Sequence, residues 1–167
     1  MKKILFYGSA YTDVIKLVDA INRAALTWEV VGFIDDTAAL HGTVICGYPV
    51  LGGREIIPAY ACRPDVYLFN NVNGSRVLHH QITEILRVNR CRTTSLVHPS
   101  IDLNYVTIGT GCIIPDGCVL GANVVLGDNV TVRYGVVISH DVTVEDQVLI
   151  GPGATIGGRA TLRKGCV

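Results

Sequence analysis

A small α/β domain followed by an all-β solenoid is the fold class that this 167-residue sequence predicts. Three observations predict it. Apolar blocks alternate with helix-like stretches up to about residue 92. An aliphatic residue then recurs at every sixth position, and the residue three positions after each of them is mostly of a type that tolerates a left-handed backbone.

In the first part, residues 1–92, "KILFY" (3–7) reads as a strand, residues 12–25 as a helix and "WEVVGFI" (28–34) as a second strand. "DVYLF" (65–69) gives a third strand and residues 75–89 another helix. Strands separated by helices at this spacing favour βαβ units and a parallel sheet. Ligands of such sheets bind in loops at the carboxyl ends of the strands, which singles out "GSAYTD" (8–13) and the pair Asp35 and Asp36. Gly8 permits a tight turn into a helix whose first amides can hold phosphate. The glycine pattern of a dinucleotide fingerprint is incomplete, because Ser9, Ala10, Tyr11 and Thr12 follow. Phosphate site and plain turn both fit that loop. Asp35 and Asp36 either accept hydrogen bonds from a ribose or base, or end a strand in a solvated turn. His41, His79 and His80 read as surface residues.

In the second part, residues 93–167, large aliphatics run from Ile108 through Ile138 to Leu162 at intervals of six. A smaller apolar residue stands two positions before each, so both side chains share one face of a short strand. Three positions after each aliphatic comes a turn residue, as in Gly111, Asn123, Asp141 and Gly165. Strand and corner units of this kind stack into a hexapeptide β-helix, and three units closing a triangle make an 18-residue coil.

Composition excludes several functions. Net charge is zero and the isoelectric point is near 6.9, which argues against a nucleic-acid or anionic-membrane partner. No run of 18 apolar residues is present, and "MKKILFYGSAYTD" turns polar too soon for a signal peptide, which predicts a cytoplasmic protein. The six cysteines form no CxxC pair and have no histidine partners at ligand spacing, so no metal is expected. They read as buried, reduced thiols, with Cys112, Cys118 and Cys166 in the small inward position of their hexads.

His140 interrupts this monotony. It holds the middle position of a corner, should point outward, and has Gly158 and Ala122 one coil away on either side, leaving room for a substrate. Two readings compete. His140 is an exposed corner residue with Asp141 as a turn former, or it is a general base with Asp141 as the acid that orients it.

The segments "VVGFIDD" (30–36), "GYPVLGG" (47–53), "LVHPS" (96–100), the hexads and "SHD" (139–141) together resemble the nucleotide-aminosugar acetyltransferases of bacterial glycan synthesis. Sialic acid O-acetyltransferases and bacillosamine-pathway N-acetyltransferases belong to this group. The resemblance implies a Rossmann-like N-terminal domain that holds a UDP- or dTDP-linked amino sugar, with Gly8, Ser9, Asp35 and Asp36 as contacts. It implies a left-handed β-helix that binds acetyl-CoA, with Gly158 at the cofactor, and a homotrimer with active sites between neighbouring helices. His140 would be the base, Asp141 its partner, and the acetyl group would pass directly to the amine without a metal or a covalent acyl-enzyme. His98 and Pro99 would mark the entry to the β-helix.

The sequence also departs from that pattern. The loop "YGSAYTD" is poorer in glycine, Leu149 stands where a second histidine lines the donor site, and "RKGCV" ends without a capping element. These features predict a truncated form or a short variant with weakened donor binding. They keep open a non-catalytic trimeric β-helix that binds a nucleotide sugar or partner subunits, and a sugar O-acetyltransferase. A dinucleotide oxidoreductase is disfavoured by the missing fingerprint.

Overall fold

A computed structural model describes all residues, 1–167, and divides into two compact units, Met1–Thr94 and Ser95–Val167. The division falls after Thr94 because Arg92 still belongs to the first unit, where its carbonyl accepts the Leu68 N–H at 2.9 Å.

The first unit is built on strands β1 (Lys2–Tyr7), β2 (Trp28–Ile34) and β5 (Val66–Asn70), parallel in the order β2-β1-β5. Helix α1 (Asp13–Ala24) buries Val14, Leu17 and Val18, which fall on one face at a spacing of three to four. Helix α3 (Arg76–Val88) starts at Ser75, whose Oγ accepts the Leu78 N–H, and buries Ile82 and Leu86 against Leu5, Tyr7, Val66 and Leu68. Phe6 packs between Phe33 and Phe69, with ring centroids 5.8 and 6.0 Å away.

Between β2 and β5 lie elements absent from the sequence reading: a hairpin of β3 (Val44–Ile45) and β4 (Tyr48–Pro49), and the short helix α2 (Ile57–Ala61). Cys46 and Gly47 form the hairpin turn, both with positive φ. Two expectations are corrected here. Cys46 and Cys62 are exposed rather than buried, because one tips a two-residue hairpin and the other ends a short surface helix. His79 is half-buried rather than a surface residue, because α3 lies on the sheet and takes that face inward. Burial pushes its imidazole down to about 4, aided by the charges of Arg76 and His80.

The second unit is a column of two-residue strands. After β6 (Leu96–Val97) come β7 (Thr107–Ile108), β8 (Ile113–Ile114), β9 (Val119–Leu120), β10 (Val125–Leu126) and β11 (Thr131–Val132). They continue through β12 (Val137–Ile138), β13 (Thr143–Val144), β14 (Leu149–Ile150), β15 (Thr155–Ile156) and β16 (Thr161–Leu162). They form three parallel sheets, β16-β13-β10-β7, β14-β11-β8-β6 and β15-β12-β9, in which each strand from β7 onward pairs with the third one along and β6 pairs with β8. Val125 pairs with Thr143 and Val137 with Thr155, so one coil takes 18 residues.

Both inward positions fill the core. Val124, Leu126, Val130, Val132, Val136 and Ile138 are each at most 1 % exposed. Cys112 and Cys118 are buried among them, and Cys166 is half-buried at the last coil. Burial pushes the Cys112 thiol up to about 11, so it is a core residue and not a nucleophile. All ten corner residues from Gly111 to Gly165 have positive φ, between 56° and 75°.

Candidate functional site

The corner after β12 is where the fold puts its chemistry. The main chain turns sharply at Asp141, whose φ is 59°, and this throws the His140 side chain outward beside it. His140 Nδ1 lies 2.8 Å from Asp141 Oδ2, and both side chains are open to solvent, at 56 % and 43 %. A carboxylate only accepts, so Nδ1 carries the proton and the Nε2 lone pair is free. The hydrogen bond from His140, followed by one from Asn123, holds the Asp141 carboxyl below its ordinary value. Asn123 sits one coil away and donates from Nδ2 to Asp141 Oδ1 at 2.9 Å. Each carboxylate oxygen thus has one donor.

Gly158, one coil to the other side, makes room for the ring. A Cβ built there would lie 3.0 Å from His140 Nε2 and 3.1 Å from Cε1. Without that carbon, the free nitrogen faces an open corner. The Arg159 N–H donates to the His140 carbonyl at 3.0 Å and the Asp141 N–H to the Ala122 carbonyl at 3.0 Å, fixing the dyad's backbone on both sides.

Asn123, Asp141 and Arg159 form a continuous run of left-handed, non-glycine residues along this edge, with φ of 62°, 59° and 63°. The corresponding run on the edge after β8, β11 and β14 is Gly117, Gly135 and Gly153. That conformation costs an ordinary L-residue about 1 kcal/mol; Asn123 and Asp141 are types that tolerate it, whereas Arg159 is not.

The first unit gathers a second group of predicted residues at the carboxyl ends of β1 and β2. Gly8 has φ of 98°, its N–H donates to the Ile34 carbonyl at 2.8 Å, and a Cβ would meet the Asn71 carbonyl carbon at 3.2 Å. Asp35 Oδ2 accepts the Ser9 hydroxyl at 2.6 Å and the Ser9 N–H at 3.1 Å, while Oδ1 accepts the Thr37 N–H at 3.0 Å. Asp36 Oδ2 accepts the Tyr7 hydroxyl at 2.5 Å and the Arg54 Nε–H at 2.9 Å. Burial works to raise both carboxyls, but these hydrogen bonds win and hold them below the ordinary range. Burial and then Asp36 keep the Tyr7 phenol protonated well above its usual limit.

The structure therefore brings Gly8, Ser9 and Asp35 together and ties Asp36 to Tyr7 and Arg54. His41 joins them through Nε2, 2.8 Å from the Asp35 carbonyl oxygen. Sequence reasoning missed Tyr7, His41 and Arg54, which are brought in by tertiary pairing over 6 to 29 residues. It also missed Asn123, although counting 18 residues back from Asp141 leads to it. His98 is half-buried and pairs through Nδ1 with Ser100 Oγ at 2.7 Å, just after the first strand of the stack. No three His, Cys, Asp or Glu side chains gather where they could hold a metal ion, and no helix is long and apolar enough to cross a membrane.

Comparison with known proteins fits this architecture. The family model "Bacterial transferase hexapeptide (six repeats)" matches residues 105–140 and 123–158. Among solved structures, the acetyltransferase domain of PglB from Neisseria gonorrhoeae is 28 % identical, with a TM-score of 0.79 over 96 % of this chain and 76 % of that one. A mutant of GDP-perosamine N-acetyl transferase from Caulobacter crescentus, in complex with CoA and GDP-perosamine, has the same TM-score at 21 % identity, covering 96 % and 77 %. WeeI from Acinetobacter baumannii is 19 % identical with a TM-score of 0.66, covering 94 % and 81 %. No curated protein matches. The resemblance to sugar acetyltransferases read from the sequence segments is thus met in the repeat and in the fold.

Proposed function

We propose that this hexapeptide-repeat acyltransferase moves the acetyl group of acetyl-CoA to the amino group of a nucleotide-linked 4-amino sugar, with His140 as general base. The observation that carries the reading is the dyad: His140 Nδ1 held 2.8 Å from Asp141, and Nε2 left free beside the side-chain-free Gly158. Support for the substrates comes from the neighbours, solved with acetyl coenzyme A in one case and with CoA and GDP-perosamine in another.

The chemistry follows from the free lone pair. As the amine nitrogen attacks the thioester carbonyl carbon, Nε2 takes the proton it loses, and the imidazolium is stabilised by the Asp141 carboxylate. When the C–S bond breaks, that proton returns to the leaving sulfur. His140 ends neutral, ready for another cycle. In this reading the acetyl group passes directly from the thioester to the amine, with no covalent acyl-enzyme.

In this reading the first unit is a Rossmann-like module that holds the sugar nucleotide near Gly8, Ser9 and Asp35, with Asp36 acting from its Tyr7–Arg54 pairing. The β-helix is left-handed, Gly158 lies at the thioester, and the protein works as a cytoplasmic homotrimer. The test is thiol release from acetyl-CoA with a panel of GDP-, UDP- and dTDP-linked amino sugars, comparing the chain with His140→Ala. A loss of about a hundredfold or more, the scale of a general base, is expected. Equal rates for the two proteins would end the assignment of His140.

A further inference from the structure

We propose that Arg159 is the anion contact of the His140 edge, binding the diphosphate carried by the acyl donor or by the sugar nucleotide. The inference rests on the acyl-transfer reading of His140. Arg159 stands one coil from Asp141, and its N–H is bonded to the His140 carbonyl, so its place beside the dyad is fixed by the backbone. Its side chain is exposed and its guanidinium makes no ion pair or hydrogen bond.

The contrast with Arg163 is direct. Arg163 donates to Glu145 Oε1 at 2.9 Å across one coil and is satisfied within the stack. Arg159 has no such partner, yet it occupies a left-handed corner where most other corners carry Gly, Asn or Asp. A strained backbone position filled by a long unpaired cation is an outlier that internal packing does not explain. Its charge already reaches the dyad, since it contributes to keeping Asp141 ionised.

Substrate charge supplies the reason. The second unit has four basic side chains against six acidic ones, and its ligands in the proposed reaction are polyanions. Approach to the acidic dyad is unfavourable unless a cation stands beside it. A guanidinium suits that task, because its planar fork can donate to two phosphate oxygens together. CoA and a nucleotide sugar both present a diphosphate, so the recognised chemistry is shared.

The test uses the full chain with Arg159→Asn, which tolerates the left-handed corner, and Arg159→Lys, which keeps the charge. Calorimetry measures binding of CoA, UDP, dTDP and GDP, and initial rates are taken with acetyl-CoA and with acetyl-pantetheine, which lacks the diphosphate. Arg159→Asn is expected to weaken one diphosphate ligand by about tenfold or more, with partial recovery in Arg159→Lys. Weaker CoA with unchanged acetyl-pantetheine kinetics assigns the donor; a weaker nucleoside diphosphate with unchanged CoA assigns the sugar nucleotide.

Unchanged affinity for all four ligands overturns the proposal. So does an equal rate loss with acetyl-CoA and acetyl-pantetheine at unchanged affinities, which would make Arg159 an electrostatic partner of Asp141 only. The two readings fail separately. Arg159-dependent binding without turnover would sink acyl transfer and leave the contact, whereas turnover indifferent to Arg159 would do the reverse.

Discussion

Asn123 Nδ2 donates to Asp141 Oδ1 at 2.9 Å, although 18 residues separate the two in sequence. The bond runs along the stack, and Asp141 turns its other oxygen to His140. Asn123 is therefore a positioning residue: it touches the acid and acts on the base through it. Asn123→Gly keeps the positive φ and removes the amide. We expect kcat to fall by about tenfold with KM little changed, and the nitrogen NMR shifts of the His140 ring to show a mixture of tautomers. Asp141→Asn should cost about a hundredfold or more, because the carboxylate that stabilises the imidazolium is gone. Full activity in both variants would remove the relay.

The space beside the imidazole predicts the effect of one methyl group. Gly158→Ala places its Cβ 3.0 Å from Nε2, closer than carbon and nitrogen normally approach, so the ring must swing away. Gly158 does not require a left-handed backbone, and the thermal midpoint should hold. Turnover should fall by about tenfold or more, and steady-state kinetics beside a melting curve would separate the two effects.

Burial of His79 sets a pH dependence for the first unit. Its imidazole is pushed down to about 4, against about 6.5 in an unfolded chain. Between those values the unfolded state binds a proton that the folded state refuses. The stabilising contribution is thus complete above about 6.5 and is lost as pH falls toward about 4. Melting temperatures across that window should fall with pH in the natural chain and fall less steeply in His79→Gln.

The β-helix core predicts a plain stability loss. Ile138 is fully buried between Leu120 and Ile156 in its sheet. Ile138→Ala should cost about 2–5 kcal/mol, read from denaturant midpoints.

The β-helix was legible because its signal is local. Each hexad carries its own inward pair and its own left-handed corner, and every one of the ten corners has the φ its sequence position foretold. The dyad was legible for the same reason, being two adjacent residues. The Tyr7–Asp36–Arg54 group was not, since it depends on β1, β2 and the segment before α2 folding together. Cys46, Cys62 and His79 were misplaced because composition does not reveal which face of a short element turns inward.

The coil length of 18 residues gives the chain a grammar of insertions and deletions. Removing one hexad, such as residues 125–130, would keep the aliphatic rhythm unbroken yet bring Gly117, with no side chain, to the place that Asn123 holds relative to Asp141. Removing three hexads, such as residues 106–123, would keep every edge in register and set Tyr105 there instead. Such changes differ little in what they ask of the core, and wholly in which side chains meet across the coils. In this architecture, function is read modulo 18 and folding modulo six.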